Sequence, residues 1–130
     1  VVMTLHSALE AHLGSQPPLF ADLVNFARWP SGYELHPHAD SENPDGIPHP
    51  FPWRDFASVI YLNDDYEGGE LFFRLQGLNI KPKAGDLYIF PSNFMYPHQA
   101  MPVHSGTKYS IVTMLDYSKK YHTPDMYDPK

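Results

Sequence analysis

Fourteen prolines and eight glycines are spread over 130 residues, leaving few uninterrupted stretches long enough for an ordinary helix. The first stretch is the exception. Val2, Leu5, Leu9 and Leu13 recur at helical spacing, and Gly14 follows as a stop, so a short amphipathic helix is expected there, packed on a sheet. From Asp22 the period changes to two. Leu23, Asn25, Ala27 and Trp29 alternate with Asp22, Val24, Phe26 and Arg28 up to the turn Pro30-Ser31-Gly32, which predicts a strand. Glu34 to Asp40 is compatible with extended chain. Ser41 to Asp55, with four prolines and a glycine, predicts a long loop. Phe56 to Leu62 is the best strand pattern; with the turn Asn63 to Gly69 and the run Glu70 to Leu75 it reads as a β-hairpin. Leu87 to Phe90, His98 to Val103 and Lys108 to Leu115 complete the strands. Short antiparallel strands without βαβ alternation predict an all-β fold with a minor N-terminal helix, a jelly roll or related barrel.

The length suits a single domain over 1–130, with a core at about 22–115. A net charge of -6 and the lack of a basic run argue against a nucleic-acid phosphate track. The absence of cysteine excludes disulfides, thiolate metal sites and cysteine nucleophiles. No apolar run approaches the length of a membrane span, and the N-terminus lacks a secretory pattern, so a soluble, cytoplasmic chain without membrane partners is expected. The chain starts Val1-Val2 rather than with Met, which leaves upstream targeting open.

In His36-Pro37-His38-Ala39-Asp40, side chains two apart on a strand share a face, so His38 and Asp40 can converge on one ion. His98, which opens a later strand, is the candidate third ligand. Two His and one carboxylate leave coordination positions open, the arrangement that suits oxygen-activating non-haem Fe(II). Lys108 opens the strand ten positions after His98, among apolar and hydroxylic neighbours. A 2-oxo diacid chelating the ion at one end needs a buried cation for its far carboxylate, and Lys108 fits that need. Ser110, two residues along the same face, and Tyr61, on the best strand, are candidate hydrogen-bond donors to it. A lone His-x-Asp pair is common by chance, and a lysine is ordinarily a solvated charge; the joint spacing carries the assignment.

These pieces, in this order, resemble the prolyl-4-hydroxylase-like branch of the 2-oxoglutarate and Fe(II)-dependent oxygenases. They are Gly32-Tyr-Glu-Leu35, His38-Ala-Asp40, Ser58-Val-Ile-Tyr-Leu-Asn63, Glu67-Gly-Gly-Glu-Leu71, Lys83-Ala-Gly-Asp86, Phe90-Pro-Ser92, His98-Gln-Ala-Met-Pro-Val103 and Gly106-Thr-Lys-Tyr109. The resemblance implies a double-stranded β-helix, iron at His38, Asp40 and His98, and 2-oxoglutarate anchored by Lys108 with a tyrosine donor at Tyr61. It further implies O2 as oxidant, ascorbate as a candidate reductant, succinate and CO2 as co-products, and a proline-containing peptide or protein as substrate, hydroxylated at C4. Trp53 and Arg54 in the long loop, and Tyr33 in the lead-in, are candidate substrate contacts. One departure stands out: the family's aromatic ahead of His-x-Asp is often tyrosine, and the nearest counterpart here is Trp29.

Three other readings compete. A free amino acid or other small molecule is the alternative substrate. His36-Pro37-His38 with Glu42 also fits the first cupin motif, in a metal enzyme that does not use 2-oxoglutarate, but His98 falls too late for the second. A degenerate β-helix binding a partner without turnover is the non-catalytic alternative, against which the full ligand set argues. His6, His12, His49, His104 and His122 are expected to be surface or structural, and His36 is ambiguous.

Overall fold

The computed structural model describes residues 2–121, so His122 lies outside the described residues. Helix α1 (Val2–Leu13) ends at Gly14, whose φ of 82° gives the left-handed terminus and whose N–H donates to the Glu10 carbonyl. Leu5 and Leu9 are buried, while Leu13, expected on the same stripe, lies 61% exposed at the last turn.

Ten strands follow: β1 (Phe20–Pro30), β2 (Leu35–His38), β3 (Phe56–Tyr61), β4 (Glu67–Gly68), β5 (Leu71–Phe73), β6 (Leu78–Ile80), β7 (Leu87–Pro91), β8 (His98–Ala100), β9 (Val103–Ser105) and β10 (Thr107–Asp116). They form a four-stranded sheet in the order β1-β10-β3-β7, a second in the order β2-β8-β5-β6, and the pair β4-β9. All pairings are antiparallel. This is the expected all-β architecture with one α-helix among the described residues, and a short 3-10 turn at Lys119–Tyr121 follows the last strand.

The period-two pattern of β10 divides its side chains between two environments. Thr113 and Leu115 are buried toward the outer side, where Leu115 joins Leu5, Leu9, Leu19 and Ala21 in a cluster that seats α1 on the first sheet. Met114, with Ala57, Leu71, Phe73 and Phe90, forms the second cluster, drawn from both four-stranded sheets. The same face of β10 carries Lys108, Ser110 and Val112 into a cavity between the sheets. Packing of apolar faces therefore fixes where the polar members of that face must go.

Three local expectations change. β3 and the run after it do not form a hairpin: β3 pairs with β10 and β7, and β5 pairs with β6 and β8. The intervening turn crosses between sheets. Gly68 and Gly69 adopt φ of 75° and 68°, and a Cβ on Gly69 would meet the Tyr66 ring at 2.9 Å. The run His98 to Val103 is two strands, because Met101 and Pro102 turn away to pair with Glu70 and Gly69. β6, after the turn at Gly77, was not anticipated; three residues carry too little periodicity to announce a strand.

The loop 41–55 is free of strands, as expected. Its end is pinned by a buried ion pair in which Arg54 Nε donates to Asp22 Oδ2 at 2.9 Å and Trp53 Nε1 donates to the same oxygen at 3.0 Å. The guanidinium also stacks 3.9 Å from the Phe51 ring centroid. Arg54→Ala takes the cation from a buried carboxylate, so a loss of about 3 kcal/mol in unfolding free energy is expected, against a small effect for a surface arginine. Urea unfolding of the two variants checks this; equal midpoints would remove the ion pair from the list of stabilising contacts.

Candidate metal centre

β2 and β8 are neighbours in the second sheet, and His38 is the cross-strand partner of His98. Their rings lie 4.4 Å apart between centroids. Asp40 follows two residues after His38, 6% exposed, with Oδ1 3.3 Å from His38 Nε2 and Oδ2 3.4 Å from His98 Nε2. One ligand atom from each of the three residues falls within a 4.8 Å span, the geometry of a site that could hold a metal ion.

Backbone bonds determine which atoms converge. His38 Nδ1 bonds the His36 carbonyl at 2.8 Å, and His98 Nδ1 bonds the Tyr96 carbonyl at 3.1 Å. Each bond holds the Nδ1 proton and leaves Nε2 as the free lone pair, the outer-sphere arrangement typical of metal-binding histidines. The Asp40 backbone is clamped in turn. Its N–H and that of Ser41 donate to the Ser92 carbonyl at 3.1 and 3.0 Å, while Ser92 itself bonds Arg54 and Asp55 on the far side. Phe90 and Phe73 wall in the His98 ring at centroid distances of 4.7 and 5.7 Å.

The electrostatics call for a cation. Asp40 Oδ2 is buried with no hydrogen-bond partner among the described residues, an arrangement that costs free energy unless a positive charge reaches it. Burial lowers the proton affinity of His98, the Asp40 charge offsetting only part of that. Burial also acts against a proton on His38, but its bond to Asp40, the His36 carbonyl and the Asp40 charge together raise it above its ordinary value. Two imidazoles and a carboxylate sharing one focus are the donors that a borderline divalent ion such as Fe(II) takes, and they fit it here.

A cavity runs from this focus into the space between the sheets. His38, Asp40 and His98 line one part of it, and Lys108, Ser110 and Tyr61 another. Lys108 is 2% exposed, and the only hydrogen bond of its ammonium among the described residues goes to the Gly69 carbonyl at 3.2 Å. Burial, with Lys81 nearby, pulls its pKa down to about 8. Ser110 accepts a 3.3 Å hydrogen bond from Trp29 Nε1. Tyr61 is pushed far above its ordinary value by burial, aided by Tyr66 and Tyr88, and stays a phenol that can donate. The sequence-predicted trio of co-substrate groups is thus gathered on one wall.

The three candidate substrate contacts are placed elsewhere. Trp53 and Arg54 bond Asp22, and neither lines the cavity that Lys108 shares with the triad. Tyr33 is 59% exposed, joined through its backbone to Val103 and Pro30. A second, outer cavity of about 440 Å³ shares His38 and His98 with the inner one. Its walls are largely apolar, with Pro37, Pro44, Phe72 and Phe94, and Arg74 is its charged residue. Sequence reasoning missed Arg74, which follows a strand end without any motif, and Ser92, whose role is carried by its backbone carbonyl.

Solved structures share this fold. A viral collagen prolyl hydroxylase of Paramecium bursaria Chlorella virus-1, in complex with 2OG, superposes with a TM-score of 0.73 at 24% identity, over 90% of this chain and 70% of that one. A prolyl hydroxylase of Trichoplax adhaerens, in complex with a peptide fragment of the oxygen degradation domain of hypoxia inducible factor, gives 0.66 at 22% identity, over 98% of this chain and 56% of that one. Among curated proteins, human prolyl 3-hydroxylase 2 is 33% identical over 69 residues, 49% of this chain. The chain spans only 10% of that relative's length. The family model of the 2OG-Fe(II) oxygenase superfamily matches residues 24–115, a span holding the whole triad together with Lys108, and the chain belongs to that superfamily.

Proposed function

We propose that residues 22–115 are the catalytic core of a prolyl hydroxylase that binds Fe(II) at His38, Asp40 and His98 and 2-oxoglutarate against Lys108. The observation that carries this reading is a single cavity lined both by a buried carboxylate, one of whose oxygens has no hydrogen-bond partner among the described residues, and by a buried ammonium. A 2-oxo diacid with a metal ion satisfies both ends, whereas a metal alone leaves Lys108 unanswered. The cupin alternative is weakened for the same reason.

Fe(II) in the triad would supply the open coordination for 2-oxoglutarate and O2 and the oxidising chemistry that yields succinate, CO2 and a hydroxylated carbon. The chain's own residues do the rest. The His36 and Tyr96 carbonyls keep both Nε2 atoms aimed at the focus. Phe73 and Phe90 keep water from the His98 side. Lys108, Ser110 and Tyr61 orient the far carboxylate by charge and donated hydrogen bonds. The substrate enters by the outer cavity, which reaches His38 and His98 from the other side. Trp53 and Arg54 contribute by holding the loop end on β1, and exposed Tyr33 is open to a longer peptide.

Lys108 sets an expected pH dependence. Co-substrate binding needs the ammonium, which the free protein holds below about 8 and loses above it. Affinity for 2-oxoglutarate is therefore expected to be level below pH 8 and to fall by roughly tenfold per pH unit well above it, with a proton taken up on binding. Calorimetry in buffers of different ionisation enthalpy measures both; a flat profile to pH 9.5 would contradict the depressed lysine.

The prolyl substrate is supported by the names of the relatives, and the position of hydroxylation divides into two readings. Hydroxylation at C4 is the expectation from the motifs; hydroxylation at C3 is favoured by the sequence relative, a prolyl 3-hydroxylase. Turnover of a panel of proline-containing peptides, with free proline as a control, tests the reading, and amino-acid analysis of the product separates 3- from 4-hydroxyproline. Arg74→Glu is expected to raise the peptide KM about tenfold or more, while 2-oxoglutarate affinity is unchanged, because it reverses the charge of the outer cavity alone. Free proline turning over with no peptide doing so would overturn the peptide reading.

A further inference from the structure

Trp29 stands where two features of the inner cavity meet. It is the cross-strand partner of Lys108 between β1 and β10, and its ring centroid lies 4.6 Å from the Lys108 ammonium. Its Nε1 donates to Ser110 Oγ, two residues further along the same face of β10. One side chain thus touches both of the groups assigned to the far carboxylate of 2-oxoglutarate, and it lines the cavity itself.

Each contact has a chemical consequence. Burial works against the charge on Lys108; Lys81 also opposes it and Glu70 favours it. Lys81 is engaged by the carbonyls of Tyr66 and Gly68, and the nearby phenols of Tyr61 and Tyr66 are held neutral by burial. An indole face favours a cation without carrying a negative charge that would repel an incoming carboxylate. The second contact concerns a proton. Ser110 has one O–H to donate, and since its oxygen accepts from Trp29, that proton is left for another acceptor; none takes it among the described residues.

We propose that Trp29 is a positioning residue for co-substrate capture, its ring face sustaining the charged Lys108 and its indole N–H turning Ser110 into a donor toward the same carboxylate. The inference rests on the 2-oxoglutarate reading above. The indole N–H is already committed to Ser110, so Trp29 acts on the anion through its two neighbours rather than by donating to it.

Two substitutions separate the contacts. Ring-fluorinated tryptophans placed at position 29 weaken the ring face while keeping shape and N–H. NMR titration of the Lys108 side chain in the metal-free protein should show its midpoint falling with each added fluorine, and calorimetry on the metal-loaded protein at pH 8 should show 2-oxoglutarate affinity falling by roughly three- to tenfold for the fully fluorinated ring. Trp29→Phe keeps a ring and removes the N–H. It should weaken 2-oxoglutarate by a similar factor, and Ser110→Ala should then cost nothing more in that background, though it weakens binding in the parent. A Lys108 midpoint indifferent to fluorination, or fully additive effects of Trp29→Phe and Ser110→Ala, would overturn the role of Trp29. Wild-type affinity in Lys108→Ala would instead overturn the co-substrate reading, and this proposal with it.

Discussion

Lys108→Ala is expected to weaken 2-oxoglutarate binding by roughly two to four orders of magnitude while leaving metal affinity nearly unchanged. On the proposed reading the far carboxylate is taken from water into a site where Lys108, 2% exposed, is the cation that lines the cavity wall. Removing one partner of such a pair leaves the other charge buried and unanswered, a loss of about 3–5 kcal/mol. Lys108 is not among the residues that converge on the metal focus, so metal titration should not respond. Lys108→Arg retains charge and donors but carries a longer planar head against the Gly69 carbonyl and the Trp29 ring, so an intermediate loss is expected. In the absence of co-substrate the alanine variant should be no less stable than wild type, because it removes a charge that burial disfavours. Equal 2-oxoglutarate affinity in wild type and Lys108→Ala would return the protein to the class of metal-binding barrels without this co-substrate.

Asp40→Ala, His38→Ala and His98→Ala are each expected to abolish Fe(II)-dependent turnover in a protein that still folds. Asp40 offers the sharpest contrast. Its Oδ2 has no hydrogen-bond partner among the described residues while Oδ1 stands beside His38, so in the alanine variant without metal the relief of a buried charge offsets the lost contact and melting should stay close to the wild-type temperature. Metal should then cease to stabilise the protein, whereas wild type gains about 2.7 kcal/mol at a hundredfold excess of metal over its dissociation constant. The loss of affinity should exceed the 10–100-fold typical of disturbing a partner outside the coordination sphere. Melting curves with and without Mn(II) or anaerobic Fe(II) read both effects. A metal-induced shift of wild-type size in any of the three variants would remove that residue from the site.

Much of the site was legible because its members sit at spacings that the strand geometry translates directly into space. His38 and Asp40 are two apart near a strand end, and Lys108 and Ser110 are two apart within β10. A period of two places each pair on one side whatever the partners turn out to be. Val112 and Met114 continue that face, and the structure decides that it is the one toward the cavity, since α1 covers the other through Leu115. Tyr61 was legible from the best strand pattern and from the family resemblance, whereas its place opposite Ser110 is a matter of register.

What failed was pairing. Two good strand patterns separated by a turn read as a hairpin, yet β3 and β5 belong to different sheets, because the Gly68-Gly69 crossing lets the chain pass close under Tyr66 and Pro102. Trp53 and Arg54 are candidate substrate contacts by their place in the long loop; what the sequence did not show is that Asp22, about thirty residues earlier, bonds both side chains. Ser92 was invisible as a determinant of the site because it acts through a carbonyl that any residue would provide, made decisive only by its meeting with Asp40 and Ser41.

The sequence by itself determined the strand-rich class, the helix and its stop, the ligand types and the faces on which they lie, since these follow from local sterics, turn chemistry and the two-residue period. Only the tertiary structure decided that His38 stands opposite His98, that Lys108 shares a cavity with Asp40, and that Trp29 reaches both Lys108 and Ser110. Those facts depend on which strands pair and in what register. Register is set by burial of apolar faces contributed from distant segments, and no local stretch of chain contains that information.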